Sequence, residues 1–181
     1  PVCVALKTYA VRESDGKLYF NLDSVASAVV EAEPKTLTFR VVSNNNVATF
    51  IKELVLEPAD GARLAYQPGD YLQIDIPVYA QTDLAGVAVD ARFQAVWRAL
   101  HIHEFTAANP IPCRRNYSFA TNPAVDGQLR FNVRIATPPR GQACPAGSGS
   151  SYIFNLKPGD TVTAIGPFGE FHIKPTQHEM V

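Results

Sequence analysis

The chain has 181 residues, which is enough for one domain or for one domain with a large appendage. Hydrophobic residues make up 46% of it, a fraction typical of a globular protein with a buried core. The formal net charge is −1, and the 16 Lys and Arg residues form no long run. A nucleic-acid partner would need a basic stripe, so the composition argues against one.

The cysteines and the apolar segments favour a chain that works in a reducing compartment. Cys3, Cys113 and Cys144 are far apart and odd in number, which is not the framework of a disulfide-rich secreted domain. No apolar stretch approaches the roughly 20 residues of a membrane-spanning helix, and the N-terminus lacks a signal-peptide pattern. We therefore expect a soluble, cytoplasmic chain.

The first 36 residues are predicted to form a hairpin followed by a helix. Loose alternation over residues 2–21, around the turn sequence Ser14-Asp15-Gly16, is typical of a β-hairpin. Residues 23–32 favour a short helix, which Pro34 would end.

From residue 37 onward the pattern predicts β-strands. Apolar residues alternate over residues 37–41, and the asparagine cluster at 44–46 predicts a turn. A further strand is expected over residues 47–56. After the Pro-Gly-Asp turn at 68–70, residues 72–76 alternate clearly, with Leu and Ile on one face.

The pattern changes between residues 78 and 112, which we interpret as an insertion in a β-protein. Residues 90–101 predict a helix, because Phe93, Val96 and Trp97 recur at spacings of three and four. Such an aromatic stripe usually belongs to the core, so Trp97 is given no catalytic role.

Strands return after the insertion, and one helix interrupts them. The helix would be capped by Ser150 or Ser151 and ended by Pro158-Gly159. The predicted strands cover residues 116–120, 129–136, 161–165 and 171–173. Many short strands separated by Gly and Pro turns favour a closed barrel or a sandwich.

Residues 114–118, Arg-Arg-Asn-Tyr-Ser, form the first candidate for binding chemistry. Residues two apart on a strand share a face, so Arg115 and Tyr117 are expected on one face and Ser118 on the other. A guanidinium holds a diphosphate through paired charge-assisted hydrogen bonds, and a tyrosine offers a flat surface to a planar ring. Arginine, aromatic ring and hydroxyl in this order suit an elongated nucleotide with a flat redox ring.

Residues 146–151, Ala-Gly-Ser-Gly-Ser-Ser, form the second candidate and run directly into the predicted short helix. Glycines let the backbone approach phosphate oxygens, and a helix start presents free N–H groups and the positive end of its dipole. If this helix faces Arg115, the two form a clamp for one pyrophosphate. Taken singly, Arg115 is also compatible with a surface cation, Tyr117 with a barrel aromatic and residues 147–151 with a flexible loop.

Together the two segments resemble the RxYS and GxxS flavin motifs of the FAD domain in the ferredoxin-NADP reductase superfamily. Over about residues 38–181 the chain is more closely similar to the family of F subunits of sodium-translocating NADH:quinone oxidoreductases. The run Asn-Val-Arg-Ile-Ala-Thr-Pro-Pro at 132–139 and the helical insertion are specific to that family. The matching stretches are residues 42–44, 46–53, 68–71, 73–77, 115–118, 132–139, 150–153 and 166–171.

The resemblance implies a mainly β fold, an antiparallel Greek-key β-barrel with one phosphate-binding helix and a helical insertion. It also implies that Arg115 binds the pyrophosphate of FAD and that Tyr117 packs against the isoalloxazine. Ser118 would lie near the reactive ring nitrogen and is the catalytic candidate.

The resemblance implies that further residues bind FAD. No residue is expected to hold a metal. The ring and the ribityl chain would be lined, partly through backbone, by Val133, Arg134 and Ile135. The phosphates would be held by Gly147, Ser150 and Ser151. A loop near the cofactor edge would contain Phe168 and Gly169.

The implied function is electron transfer from NADH through FAD to a 2Fe-2S centre of a respiratory NADH:quinone oxidoreductase. Residues 1–37 would be a lead segment, with Cys3 a candidate remnant of a ferredoxin-like domain, and residues 38–181 the FAD domain with an insertion at about 78–112. The 2Fe-2S cluster, the NADH-binding domain and the membrane subunits would be partners outside this sequence, at the cytoplasmic face of the inner membrane. This chain alone should bind FAD yet turn over little NADH.

Three alternatives are open to test. A reductase component of a bacterial oxygenase shares the flavin motifs, but the insertion and residues 132–139 argue against it. A β-barrel binding module without flavin would share only the fold. His101 and His103 would share a face on a strand, but zinc needs further ligands that the sequence does not offer nearby.

Overall fold

The computed structural model describes residues 9–25, 35–124 and 127–172. The chain divides into two compact units, residues 1–34 and residues 35–181, and each is described by itself. Within the described residues, no helix is both long enough and apolar enough to cross a membrane.

The first unit contains the predicted hairpin, formed by β1 (Tyr9–Ser14) and β2 (Lys17–Val25). Asp15 and Gly16 both have positive φ, 53° and 70°, which suits a two-residue hairpin turn. Residues 2–8 of the predicted hairpin lie outside the described residues. The helix predicted over 23–32 is wrong at its start, because β2 continues beyond a bulge until Val25 pairs with Tyr9. The rest of that prediction also lies outside the described residues.

The second unit is mainly β, as predicted. Its described strands are β3 (Thr36–Ala48), β4 (Ile51–Pro58), β5 (Tyr71–Ile76), β6 (Tyr79–Asp83), β7 (Thr106–Asn109), β8 (Cys113–Ser118), β9 (Leu129–Arg134) and β10 (Thr161–Phe168). Its described α-helices are α1 (Ala91–Ala99) and α2 (Ser148–Asn155). A 3₁₀ turn spans Ile102–Glu104.

Six strands form one antiparallel sheet in the order β8-β5-β10-β3-β4-β9, so β8 and β9 are its outer strands. One backbone hydrogen bond, from Ala120 N–H to Arg130 O at 2.8 Å, links the segment after β8 to β9. Among the described residues no ladder joins these two strands. The antiparallel β architecture is confirmed, and closure into a barrel stays a prediction.

The core lies on one face of this sheet. Leu72, Ile74 and Ile76 of β5 have no exposed surface, as their alternation predicts, and they pack with Phe39 of β3 and Phe131 of β9. Because side chains alternate along a strand, the same pattern sends Gln73 and Asp75 to the opposite face.

The turn predicted at Asn44–Asn46 is wrong, because β3 runs through it to Ala48. Asn44 and Asn46 are buried, and both bond to other elements. Asn44 Nδ2 donates to Ile153 O and to Leu156 O at 2.7 and 3.0 Å, and Asn46 Oδ1 accepts from Asp90 N–H at 3.1 Å. These side chains connect elements distant in sequence instead of reversing the chain.

Other strand boundaries differ from the prediction by a few residues. β8 begins three residues early, β10 continues to Phe168, and β9 ends at Arg134. The strand predicted at 171–173 is wrong where the structure describes it, because Phe171 and His172 lie outside any strand. His172 Nε2 instead lies 2.7 Å from Asp70 Oδ1, so a side-chain contact fixes this segment.

The insertion contains the predicted helix α1 together with the two-stranded sheet β6-β7, which was not predicted. Asp90 caps α1, and its Oδ1 accepts from Arg92 N–H at 2.9 Å. Trp97 is fully buried, as expected, and its Nε1–H donates to Thr49 O at 2.6 Å.

The strand placement considered for His101 and His103 is wrong. His101 lies in a turn with φ 53°, and its Nδ1 is 2.8 Å from Glu104 Oε1. His103 lies in the 3₁₀ turn, with its ring centroid 5.6 Å from that of Trp97. Among the described residues, no group of three or more His, Cys, Asp or Glu side chains forms a metal-binding cluster.

We predict that Asn44→Ala destabilises the fold, because the carbonyls of Ile153 and Leu156 lose a buried donor. The loss in free energy of unfolding should be about 1–3 kcal/mol, measured by urea denaturation. Asn45→Ala is the matched control, since Asn45 is the exposed neighbour on the same strand. Equal stability of the two variants would contradict the assignment.

We predict that the stability of the fold depends on pH because of Lys52. Burial lowers the pKa of Lys52 from 10.5 to about 8. Between these values the unfolded chain binds the proton and the folded chain does not, so the free energy of unfolding should rise with pH across this window. Urea denaturation should show a smaller rise in Lys52→Met, while Lys157→Met, at an exposed lysine, should behave like the wild type. An unchanged rise in Lys52→Met would disprove the assignment.

Candidate functional site

β8 places Arg115 and Tyr117 on one face of the sheet, as the alternation predicts. Both side chains are half-buried, whereas those between and beside them are exposed. Arg115 is paired with Ile74 of β5 and Tyr117 with Leu72. Directly paired residues point to the same face, and Ile74 and Leu72 are fully buried. Arg115 and Tyr117 therefore point to the core side of the sheet, at its edge.

The first turn of α2 lies against these two side chains. A Cβ atom added to Gly149 would be 2.9 Å from Arg115 Cγ and 3.3 Å from Tyr117 Oη. A contact at 2.9 Å is closer than real Cβ atoms approach, so the helix reaches this position only because residue 149 is glycine. The two sequence segments that were candidates for one clamp are thus in contact.

The start of α2 is fixed to the end of β9. Gly147 N–H donates to Ala136 O at 2.8 Å. In return, Ala136 N–H donates to Ser150 Oγ at 3.0 Å, and Ser150 Oγ donates to Gly147 O at 3.1 Å. A Cβ on Gly147 would lie 2.7 Å from Ala136 Cβ, so this junction also requires glycine. These bonds position α2 between the two outer strands.

The first turn of α2 leaves backbone N–H groups available to a ligand. The first N–H to bond back is that of Ser151, which donates to Gly147 O at 3.0 Å. The N–H groups of Ser148, Gly149 and Ser150 precede it and have no acceptor within the helix. They carry the positive end of the helix dipole. The cationic Arg115 side chain packs against this turn at Gly149, and its Nη1 donates to Arg114 O at 2.9 Å.

The predicted cap of α2 is wrong, because the helix begins at Ser148, after Gly147, and both Ser150 and Ser151 lie inside it. The Ser150 hydroxyl donates its proton within the protein, so its N–H is the group that it offers to a phosphate. Ser151 has no exposed surface, and its Oγ has no hydrogen-bond partner in the described chain. The structure therefore brings Ser150 to the site, uses the Gly147 N–H for the bond to Ala136 and leaves Ser151 beneath the first turn.

Tyr79, which sequence reasoning missed, also reaches this turn. Its Oη donates to Ser148 O at 2.7 Å. Burial raises the pKa of Tyr79, and Cys113 nearby raises it further. Burial likewise raises the pKa of Tyr117 to about 12, against the opposing effect of Arg115. Both phenols are therefore protonated at neutral pH. A single tyrosine inside an insertion gave no signal by which the sequence could identify it.

The β9 residues divide between core and surface. Val133 and Ile135 are buried in the core, so their side chains do not line a surface site. Arg134 is exposed between them. Arg130 O accepts from the segment after β8, so it points away from β4. Backbone direction alternates along an antiparallel strand, so the N–H and C=O groups of Arg134 also face the open edge of β9.

Ser118 lies at the exposed end of β8, on the opposite face from Tyr117. It is paired with Tyr71, which is in turn paired with Phe168 of β10. The Tyr71 and Phe168 rings contact each other, with centroids 5.8 Å apart. Gly169 follows, and Asp70 leaves it no room for a side chain. Tyr71 of β5 thus lies between Ser118 and Phe168 in the sheet.

The residues present fit a diphosphate. The three open N–H groups belong to the helix turn in which Gly149 packs against the side chain of Arg115, which is a cation. A dinucleotide with a pyrophosphate, such as FAD, matches this arrangement of donors.

Comparison with known proteins finds similarity to FAD-binding oxidoreductases. Residues 96–173 match the oxidoreductase FAD-binding domain family. The F subunit of the Na(+)-translocating NADH-quinone reductase of Methylococcus capsulatus is 46% identical over 143 residues, which are 78% of this chain and 35% of the relative. The corresponding protein of Colwellia maris is 42% identical over 142 residues, 78% of this chain and 46% of the relative.

Among solved structures, the flavohem-like FAD/NAD binding domain of nitric oxide dioxygenase from Vibrio cholerae is similar, with a TM-score of 0.51 and 26% identity. The similarity covers 78% of this chain and 47% of that one. By its family match and its fold, this chain is similar to FAD-binding oxidoreductase domains. Its curated homologues are F subunits of Na(+)-translocating NADH-quinone reductases. The chain spans between a third and a half of the length of these relatives.

We predict that Gly149→Ala lowers the free energy of unfolding, although alanine has the higher helix propensity. The added Cβ meets Arg115 Cγ, and overpacking of this kind costs about 1–3 kcal/mol, against a gain of about 1 kcal/mol in propensity. Gly86→Ala is the control, because a Cβ there meets no atom within 4 Å. Chemical denaturation measures both, and a stabilised Gly149→Ala variant would refute the close contact.

Proposed function

We propose that this chain binds FAD with its diphosphate between Arg115 and the first turn of α2, and that it carries electrons from NADH towards a quinone. The observation that carries the proposal is the contact of Gly149 with Arg115 and Tyr117. It joins two motifs that are separated in sequence and that are each uninformative alone.

The open edges of β8 and β9 support a position for the flavin ring. A ring lying along the edge of β8 is able to touch Tyr117 from one face of the strand and Ser118 from the other. The edge of β9 offers the backbone of Arg134 to the same space, and Val133 and Ile135 would contribute only backbone. This is how Ser118 would act beside the reactive nitrogen although its side chain points away from that of Tyr117.

Bound FAD supplies the chemistry, which is exchange of two electrons with a hydride donor and of single electrons with a metal centre. The chain's own residues bind and orient it. Arg115 and the N–H groups of Ser148, Gly149 and Ser150 balance the diphosphate charge, and Tyr117, a neutral phenol, packs against the ring.

The names of the relatives support the rest of the proposal. They describe parts of a Na(+)-translocating NADH-quinone reductase, which supports NADH as electron donor and a multi-subunit, sodium-translocating membrane complex as the setting. We propose as partners a ferredoxin-like domain with a 2Fe-2S centre, an NADH-binding domain and the membrane subunits, with this domain at the cytoplasmic face.

An absorbance scan of the purified protein after addition of FAD and removal of unbound FAD tests the cofactor. Bands at about 370 and about 450 nm are expected of an oxidised flavoprotein. A protein that stays colourless after saturation with FAD would favour a β-module that holds no flavin.

We predict that Arg115→Ala weakens FAD binding about 10- to 100-fold, the equivalent of the roughly 1.5–3 kcal/mol of a hydrogen bond to a charged group. Arg114→Ala is the matched control. Its side chain is the neighbour on the same strand, but it points away and pairs with Asp75, Nε to Oδ1, at 2.7 Å. Quenching of flavin fluorescence on binding gives both dissociation constants. Equal losses in the two variants would argue against a specific role for Arg115.

A further inference from the structure

Residues 78–112 hold α2 at both of its ends. At the entry to the helix, Ala146 N–H donates to Thr106 O of β7 at 2.9 Å. Near its C-terminal end, the Phe154 ring is stacked with that of Trp97 from α1, with centroids 6.1 Å apart and an interplanar angle of 21°. The insertion therefore contacts both ends of the helix whose first turn forms the proposed phosphate site.

Between these two contacts, Tyr79 meets the first turn itself. Its hydroxyl donates to Ser148 O at 2.7 Å, and its ring is stacked with that of Tyr152 one turn later, with centroids 6.5 Å apart. In a trans peptide unit the C=O and the following N–H point in opposite directions. The bond to Ser148 O therefore fixes the direction of the Gly149 N–H, which belongs to the same peptide unit.

Tyr79 is itself firmly held. It is paired with Asn109 across the β6-β7 sheet. Asn109 is buried, and its Nδ2 donates to Ile76 O and Pro77 O at 3.1 and 2.7 Å. These bonds fix Tyr79 to the exit of β5, the strand that pairs with β8. A chain of hydrogen bonds thus runs from the strand beside Arg115 to the helix start opposite it.

We propose that Tyr79 is a positioning residue for the diphosphate, and that this is one role of the insertion. Through Ser148 it sets the orientation of the Gly149 N–H relative to the Arg115 guanidinium, so that both reach the same phosphates. The inference rests on the proposed function. Binding groups must be held within about half an ångström to act together, which explains why one phenol donor here affects affinity.

The test compares Tyr79→Phe with Tyr66→Phe. Each substitution removes one tyrosine hydroxyl and one hydrogen bond, that of Tyr66 being to Thr121 at 2.5 Å. Tyr79→Phe should weaken FAD binding about five-fold, the effect of one typical hydrogen bond, and Tyr66→Phe should leave it within about two-fold. Thermal unfolding of both proteins without FAD shows whether their losses of stability are comparable.

Phosphorus NMR of the FAD-saturated proteins separates positioning from general stability. In Tyr79→Phe the diphosphate resonances should move from their wild-type positions, because the donors around them are displaced. In Tyr66→Phe they should coincide with the wild type. This readout is taken at saturation, so it does not depend on affinity.

Each outcome decides between the proposals. If the wild type binds FAD and Tyr79→Phe matches it in affinity and in phosphorus resonances, the role of Tyr79 is disproved and the proposed function stands. The same conclusion holds if Tyr66→Phe produces equal changes. If the wild type takes up no FAD, the proposed function fails and the inference fails with it.

Discussion

The position of α2 is the constraint on which the site depends. A helix of eight residues has little stability of its own in water, so tertiary contacts must hold it. At its start the Ser150 hydroxyl joins the helix to Ala136, and at its end Asn44 binds the last carbonyls. With both ends fixed, Gly149 lies where its missing side chain leaves space for Arg115. Without these bonds, the first turn of α2 would not be held against the Arg115 side chain.

Holding α2 in place also requires a buried charge, that of Lys52, near the C-terminal end of the helix. Its side chain is 2% exposed, and its Nζ donates to Phe154 O at 3.0 Å. Burying an ammonium is unfavourable, but this one lies at the negative end of the α2 dipole, where a cation is favoured. It also contacts the face of the Phe154 ring, with Nζ 5.3 Å from the centroid. The buried charge and the open N–H groups therefore lie at opposite ends of one helix, each matched to the sign of the dipole there.

Sequence reasoning succeeded where local pattern determines structure. The alternation in β5 and β8, the spacing of apolar residues in α1 and the Asp15-Gly16 turn were all readable, because each depends on neighbours in the chain. It failed where a polar residue forms hydrogen bonds with a partner that is distant in sequence. Asn44 has the composition of a turn, yet it lies inside a strand because α2 offers it two carbonyls.

The candidate site divides in the same way. Arg115 and the Gly/Ser segment were found from motif chemistry, because charge and backbone freedom are properties of the residues themselves. Gly149 and Tyr79 were not singled out, since their importance lies in what each one contacts. The burial of Val133, Ile135 and Ser151 was missed because a motif does not record which face of an element points inward.

The edges of β8 and β9 contribute unpaired backbone groups to the proposed site. Unpaired strand edges expose backbone groups and are usually covered or interrupted. Here the segment after β8 bonds to β9 at Arg130, and the start of α2 is fixed to Ala136, just beyond the end of β9. Between these two points the N–H and C=O groups of Arg134 point away from β4. A flat ring along this edge would accept and donate the hydrogen bonds that a further ladder would otherwise supply. The proposed position of the flavin ring therefore uses backbone groups that no ladder among the described residues occupies.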